Sequence, residues 1–261
     1  MCRIWSRNTI VRHEKIIIIL VVCVLSACNS ENASDCFQTS GSKVSKTIAV
    51  DAFEDILVNR NIELTIKQGD DYEVYIETGE NLINDVEVEV TDGVLELTDN
   101  NTCNLFRDYD PTKITITTPT LARIRSSTQF DITSDGVLTF DSIELLSEDF
   151  NDSESFNVGD FKLELDVTVL NVVSNNISVF YLSGTTESLN VGFYAGAGRF
   201  EGADLIANTV DIYHRGSNDI IVNPQESLTG ELVSTGDLIS KNTPEIIEIE
   251  EKFTGKLYFE D

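Results

Sequence analysis

The sequence predicts an all-β protein, and within that class a single-stranded parallel β-helix with a strand-rich start. Three observations support this prediction. Apolar and polar residues alternate in short runs from Ile48 onward, turn pairs such as Asp92-Gly93 separate the runs, and large apolar residues recur about every 20 residues after position 120. An antiparallel β-sandwich is the alternative, because it also consists of short alternating strands.

The chain begins with the pattern of an exported lipoprotein. Four basic residues lie within the first 15 positions, an apolar run covers Ile16 to Val24, and small residues then lead to a cysteine in Leu25-Ser26-Ala27-Cys28. The apolar run is shorter than the roughly 20 residues that a membrane-spanning helix needs. The four residues match the lipobox of bacterial lipoproteins, which implies cleavage before Cys28 and attachment of diacylglycerol to its sulfur. Residues 1–27 are therefore predicted to be a signal peptide, with free secretion as the alternative.

Residues 28–47 are predicted to be a lipidated, flexible linker, because they are rich in Ser, Asn and Thr and have no apolar periodicity. A diacylglyceryl group supplies the two acyl chains that stable membrane attachment requires. Asn29 follows the cysteine, and by the enterobacterial sorting rule a residue other than aspartate there does not retain a lipoprotein at the inner membrane. We therefore expect a lipid-anchored protein of the bacterial outer membrane, on either its periplasmic or its cell-surface face.

The five cysteines of the chain have different predicted fates. Cys2 and Cys23 are removed with the signal peptide, and Cys28 carries lipid. Cys36 and Cys103 remain as an even pair in an oxidising compartment, which predicts a disulfide between them. Two free thiols are the alternative.

Residues 48–261 are predicted to form the folded domain. Its first part contains half-buried strands in which apolar and polar residues alternate. The clearest of these runs are 62–66, 74–76, 86–90, 94–97 and 114–116.

Two columns of large apolar residues share one pitch in the second half of the chain. The first column is Ile143, Leu170, Leu189, Val210 and Leu228, and the second is Phe180, Phe200, Ile220 and Leu238. Equivalent residues on successive coils of a parallel β-helix lie about 4.8 Å apart, so both columns would be buried as continuous ladders. A sandwich gives no reason for a repeated coil length, which favours the β-helix. We expect Leu257-Tyr258-Phe259 to close the last coil.

Several segments follow the order found in a known family. They are Phe53-Glu54-Asp55-Ile56 and the runs 62–69, 79–83, 92–97 and 114–121. With this ordered set, which spans about residues 50–240, the chain resembles the head GIN domain family, whose members carry an autotransporter-adhesin label and are common among Bacteroidetes lipoproteins. The resemblance implies a right-handed parallel β-helix without established enzymatic activity. One departure concerns the turns, because Ser126-Ser127-Thr128 and Ser174-Asn175-Asn176 replace glycine-serine-glycine turns, which leaves coil boundaries between about 140 and 180 open.

The charge balance excludes one class of partner. The chain carries 18 Lys and Arg against 45 Asp and Glu, a formal net charge of −27. Such a field repels phosphate backbones, so we expect no nucleic acid partner. The remaining expected partners are the membrane, through the lipid on Cys28, and an envelope glycan or protein. The sequence does not indicate an oligomeric state.

No catalytic, metal or cofactor site is predicted. His214 is the single histidine left after processing, so it cannot form a multi-histidine metal site and is interpreted as a surface or turn residue. A glycine-rich segment lacks the lysine and the following helix of a phosphate loop, and its glycines are interpreted as tight turns. These glycines are Gly192, Gly196, Gly198 and Gly202.

Two further patterns contain residue types that could support chemistry. The acidic segment 148–154 lacks the Asp-x-Asp-x-Asp spacing of a calcium loop, so calcium binding is not expected. The cations near the middle strands are Arg123, Arg125 and Lys162. Polysaccharide-cleaving β-helix enzymes use paired carboxylates with a basic residue, and these cations would be the candidates for that basic residue.

The sequence thus predicts a lipid-anchored cell-envelope module for binding or adhesion, without catalytic activity. A structural envelope lipoprotein with no discrete ligand is the first alternative. A carbohydrate-active enzyme is the second alternative, because β-helices also host polysaccharide lyases and hydrolases.

Overall fold

A computed structural model describes residues 39–101, 110–150 and 155–260. The chain divides into two compact units. Of the described residues, the first unit contains 39–44, Thr78–Val86, 100–101 and 110, and the second contains Ser45–Glu77, Glu87–Asp99, 111–150 and 155–260.

Strands dominate the described residues, together with one 3₁₀ turn at Ile83–Asp85. The first nine strands are β1 (Lys43–Ala49), β2 (Asp55–Val58), β3 (Ile62–Gln68), β4 (Glu73–Gly79), β5 (Val86–Thr91), β6 (Val94–Asp99), β7 (Thr112–Thr118), β8 (Arg123–Ser126) and β9 (Ile132–Leu138). The remaining strands are β10 (Ser142–Ser147), β11 (Phe161–Ser174), β12 (Val179–Phe193), β13 (Arg199–His214), β14 (Ile220–Leu232), β15 (Leu238–Ser240), β16 (Ile246–Glu251) and β17 (Leu257–Phe259). The all-β class predicted from the sequence is confirmed.

Two side-chain hydrogen bonds join described segments of the first unit. The Asn81 amide donates a hydrogen bond to the Thr39 carbonyl at 2.8 Å. The Asn101 amide donates at 3.2 Å to the Leu82 carbonyl, which also accepts from the Asp85 backbone N–H at 3.0 Å. These bonds satisfy backbone carbonyls of irregular segments and so stabilise the segments.

Long parallel strands form the main part of the second unit. The first predicted column is present, because Leu170 pairs with Leu189 and Leu189 with Val210 in the parallel registers of β11, β12 and β13. The second column is present as well, since Phe180 pairs with Phe200 and Phe200 with Ile220. The apolar repeat in the sequence therefore reports the register of parallel strands correctly.

The predicted right-handed, single-stranded parallel β-helix over residues 48–261 is nevertheless wrong. β4 runs antiparallel to β7, with Val74 opposite Ile116 and Ile76 opposite Ile114. The strands therefore form a curled, mixed sheet and not a continuous spiral of parallel coils. Side chains alternate with a period of two residues in both strand directions, so the apolar pattern of residues 74–76 carried no information about direction.

The core lies on the inward side of these strands. β11 alternates buried and exposed positions over its first half, which is the pattern that the sequence predicted for a strand with one wet face. Phe161 and Phe180 are fully buried and stack with ring centroids 4.9 Å apart and an interplanar angle of 10°. Phe193 continues the aromatic interior, 5.8 Å from Phe180.

Two local predictions concern turns and the end of the chain. Asp92 and Gly93 have φ values of 50° and 81° between β5 and β6, as a type I′ turn requires, so the predicted turn is confirmed. Leu257–Phe259 forms β17, which pairs in parallel with β15.

None of the described residues belongs to a helix with the length and apolar character that a bilayer crossing requires.

Candidate functional site

The predicted covalent sites lie outside the described residues. Cys28, the predicted lipidation site, and Cys36 fall within 1–38, and Cys103 falls within 102–109. The lipid attachment and the disulfide between Cys36 and Cys103 therefore stay predictions.

His214 lies at the end of β13 and is buried, so its interpretation as a surface or turn residue is wrong about the surface, while its ring does contact the turn at Gly216 and Asn218. Its Nε2 lies 2.8 Å from the Asn218 carbonyl, and the Gly216 backbone N–H donates to Nδ1 at 3.3 Å. The two contacts fit a neutral ring that carries its proton on Nε2. Burial lowers the pKa of His214 below its usual 6.5, and the opposing effects of the Asn218 bond and of Asp219 and Asp237 are smaller. The ring organises a turn and faces no open surface.

This burial predicts a pH-dependent stability. As the pH falls below 6.5, the unfolded chain takes up a proton on His214 that the folded chain resists, so the free energy of unfolding falls. The loss from this group is limited to about 1.4 kcal/mol per pH unit. Urea denaturation of the wild-type chain at pH 7.5 and 5.5 measures it.

The matched variant is His214→Gln, which cannot titrate in this range. We expect the variant to be less stable at both pH values but to lose less stability than the wild type between them. Equal pH dependence of the two proteins would contradict a depressed pKa at His214.

The cations considered for an enzyme site are all engaged by carboxylates. Arg123 donates to Asp55 at 2.9 Å and to Glu144 at 2.7 Å, and the bond to Glu144 raises the pKa of Arg123. Arg125 forms an ion pair with Glu148, and Lys162 forms one with Asp131. Each of the three cations is thus neutralised by a carboxylate.

The acidic segment is partly described, since residues 151–154 lie outside the described ranges. Glu148 is buried and pairs with Arg125, while the Asn175 amide donates to Asp149 at 2.5 Å. Among the residues that the structure describes, no group of three or more metal-ligating side chains is close enough to hold an ion.

Three aromatic side chains meet on the outward side of the long strands, and we call them the Tyr194 cluster: Phe150, Tyr194 and Tyr213. The Tyr194 ring lies 5.1 Å from Tyr213 and 5.7 Å from Phe150, measured between centroids. Tyr194 is 41% exposed and Phe150 is 57% exposed. Exposed aromatic groups in mutual contact are typical of interaction surfaces, where large rigid side chains bury area at a low entropy cost.

The local sequence explains why this cluster forms. Phe193 points into the core, so its neighbours Gly192 and Tyr194 face outward. A Cβ on Gly192 would lie 2.8 Å from the Tyr194 ring, so the glycine gives that ring room beside the strand. The Glu148 carboxylate accepts a hydrogen bond from the Phe150 backbone N–H at 2.7 Å, and its ion pair with Arg125 holds the carboxylate in place. These contacts position the Tyr194 and Phe150 rings within the cluster.

The glycines that loosely imitate a phosphate loop have geometric roles. Gly196 has a φ of 79°, and a Cβ there would lie 2.2 Å from the Asn176 carbonyl. A Cβ on Gly202 would lie 2.3 Å from the Phe200 ring. Both positions exclude larger side chains. Gly196 and Gly198 lie in the turn between β12 and β13, as predicted, whereas Gly192 lies within β12 and Gly202 within β13, so the interpretation as tight turns is wrong for these two.

Sequence reasoning did not find the Tyr194 cluster. A signal was present, because Tyr213 occupies an outward position of β13 and Tyr194 directly follows β12, at positions where polar residues are usual. Phe150 gave no such signal, since it follows β10 in a loop and reaches Tyr194 only in the folded chain.

Comparison with known proteins identifies relatives by sequence and by structure. The family model "Putative auto-transporter adhesin, head GIN domain" matches residues 52–244. No functionally curated protein matches the chain significantly.

Several crystal structures share the fold. A putative adhesin from Bacteroides fragilis is 24% identical, with a TM-score of 0.75 over 85% of this chain and 99% of the other. A putative adhesin from Parabacteroides merdae is 16% identical, with a TM-score of 0.60 over 85% and 97%. A putative lipid binding protein from Parabacteroides distasonis is 18% identical, with a TM-score of 0.58 over 85% and 98%. At these identities the likeness shows an all-β fold in common and nothing about ligands.

Proposed function

Because the chain belongs to the head GIN domain family, we propose that it is a binding module of the bacterial cell envelope, anchored to the outer membrane by lipid on Cys28. The Tyr194 cluster is its contact surface, and its ligand is a glycan. The proposal assigns no reaction to the chain.

The observation that carries this proposal is the supported, exposed aromatic surface formed by Phe150, Tyr194 and Tyr213. The face of an aromatic ring attracts the electropositive C–H groups of a sugar ring, because its quadrupole is negative there. Next to the rings, the hydrogen-bonded pair of Asp149 and Asn175 offers donors and acceptors of the kind that hydroxyl groups use. The net charge of −27 disfavours anionic glycans, so neutral glycans are the expected class.

The family name supports the envelope location and the binding role in general terms. The lipobox supports the anchor, since a diacylglyceryl group buries two acyl chains at about 0.8 kcal/mol for each methylene. Neither alternative from the sequence has a comparable structural observation in its favour.

One experiment tests the surface. The full chain, purified in detergent micelles, is applied to an array that carries neutral glycans, anionic glycans and envelope or matrix proteins. We expect binding to neutral glycans, and a loss of at least tenfold in the double variant Tyr194→Ala, Tyr213→Ala. Tyr258→Ala is the matched control, because Tyr258 is also an exposed tyrosine on a strand and lies outside the cluster.

Cys28→Ser, expressed in the native host, tests the anchor in the same series. We expect the variant to leave the membrane fraction, while the wild type stays there. Unchanged membrane attachment would contradict lipid anchoring at Cys28.

In the array experiment, binding to proteins alone, or equal glycan binding by the double variant, would contradict the assignment of the Tyr194 cluster as a glycan surface.

A further inference from the structure

A concave site lies on the outward side of β12 and β13, and none of its lining residues belongs to the Tyr194 cluster. It is a hollow of about 300 Å³, which we call the Tyr181 hollow. Its lining consists of Tyr181, Leu182, Ser183, Glu201, Ala203 and Asp204.

The hollow exists because the strand register breaks at this point. Tyr181 pairs with Glu201 and Gly184 with Leu205, so two residues of β12 lie opposite three residues of β13. On the other side of β13, four residues lie opposite the single residue Val222 of β14. The extra residues of β13 bulge out of the ladder, which opens a concave surface beside the Tyr181 ring. Bulges of this kind are frequent next to binding sites, because they redirect side chains.

The side chains around the hollow combine a ring with hydrogen-bonding groups. Tyr181 is 45% exposed, so a large part of its ring is accessible. Glu201 is held in place by Arg199, whose Nε donates to Glu201 Oε1 at 2.5 Å. Asp204 is exposed, and within the described residues no hydrogen bond or ion pair engages its carboxylate. The hollow therefore presents an aromatic face, one oriented carboxylate and one available carboxylate.

The charges around the hollow select against anionic ligands, because Glu201 and Asp204 repel an anion. Lys162 Nζ lies 6.0 Å from the centroid of the Tyr181 ring, but its charge is paired with Asp131. A neutral ligand with several hydroxyl groups avoids this repulsion, since its hydroxyls donate to the carboxylates and its C–H groups contact the ring.

We propose that the Tyr181 hollow binds one neutral sugar residue, with Tyr181 stacked on the sugar ring and with Glu201 and Asp204 accepting hydrogen bonds from its hydroxyls. The volume is at the lower end of the about 300–1,000 Å³ typical of ligand sites, which fits a single ring. This inference rests on the proposed function only in treating the chain as a glycan-binding module, and it uses none of the residues of the Tyr194 cluster.

The test measures binding of soluble monosaccharides to the full chain in detergent micelles by saturation-transfer-difference NMR. The probes are the methyl glycosides of glucose, galactose, mannose and N-acetylglucosamine, with glucuronic acid as the anionic comparison. We expect at least one neutral glycoside to bind, and glucuronic acid to bind at least tenfold more weakly.

Variants separate the hollow from other sites. Tyr181→Ala and Asp204→Ala are each expected to weaken binding at least tenfold, whereas Tyr181→Phe keeps it. Tyr258→Ala is the matched control, because Tyr258 lies in the same outward column of paired residues as Tyr181 and is 50% exposed. Circular dichroism verifies that each variant is folded.

Each outcome decides the inference. Absence of binding by all neutral glycosides, unchanged binding in Tyr181→Ala, or equal binding of glucuronic acid and the neutral glycosides would overturn it. Loss of binding in the Tyr194, Tyr213 double variant with unchanged binding in Tyr181→Ala would overturn it while leaving the proposed function intact. Loss in Tyr181→Ala with no array binding would retain the hollow and remove the Tyr194 cluster as a glycan surface.

Discussion

Replacing Phe180 by alanine is expected to lower the free energy of unfolding by about 3–5 kcal/mol. Phe180 has no exposed surface. Its ring centroid lies 4.9 Å from that of Phe161, on which it stacks, and 5.8 Å from that of Phe193. The variant loses the transfer free energy of the ring and leaves a cavity, since the neighbouring strands are held by parallel ladders on both sides and cannot collapse into it.

Urea denaturation followed by circular dichroism measures this loss. Phe253→Ala is the control, because Phe253 is 61% exposed, and its removal is expected to change stability by no more than about 0.5 kcal/mol. A similar loss in the two variants would mean that Phe180 does not lie in the core.

Replacing Gly230 by alanine is expected to destabilise the chain by about 2–6 kcal/mol. Gly230 has a φ of 132°, a conformation that costs an L-residue about 1–3 kcal/mol. In addition, a Cβ there would lie 2.0 Å from the carbonyl oxygen of Ile212, the residue of β13 with which Gly230 pairs in the parallel ladder. Relieving that clash requires a shift of the β13 or β14 backbone, which adds about 1–3 kcal/mol.

Gly93→Ala separates the two causes. Gly93 has a φ of 81°, but a Cβ there would have no neighbouring atom within 4 Å, so its substitution carries only the backbone strain of about 1–2 kcal/mol. The same denaturation measurement compares the variants. If Gly230→Ala were no more destabilising than Gly93→Ala, the close approach of β13 to Gly230 would be refuted.

Particular residues show how far the sequence could be interpreted. The columns through Leu189 and Phe200 were predictable, because large apolar residues at one interval must be buried side by side. The turn at Asp92-Gly93 was predictable, since few residue pairs adopt positive φ at both positions. For His214, alternation with Val210 and Ile212 indicates the buried face of β13, but only the fold supplies the Asn218 and Gly216 contacts that let a polar ring remain there.

Both candidate sites depend on contacts that no local pattern contains. The Tyr194 cluster requires Phe150 to approach Tyr194 from a distant part of the chain, and the Tyr181 hollow requires coincident bulges on both sides of β13. Neither the approach of a loop residue nor the position of a bulge changes the two-residue alternation by enough to be detected in one sequence.

The amino-acid sequence by itself determined the all-β class, the family, the buried columns and the acidic surface, because side-chain polarity decides which face of a strand is dry. Only the tertiary structure decided the antiparallel placement of β4 beside β7, the neutral buried state of His214 and the two outward sites. The physical reason is that strand direction, bulges and ring contacts arise from pairing between distant segments, whereas alternation records only the environment of each residue.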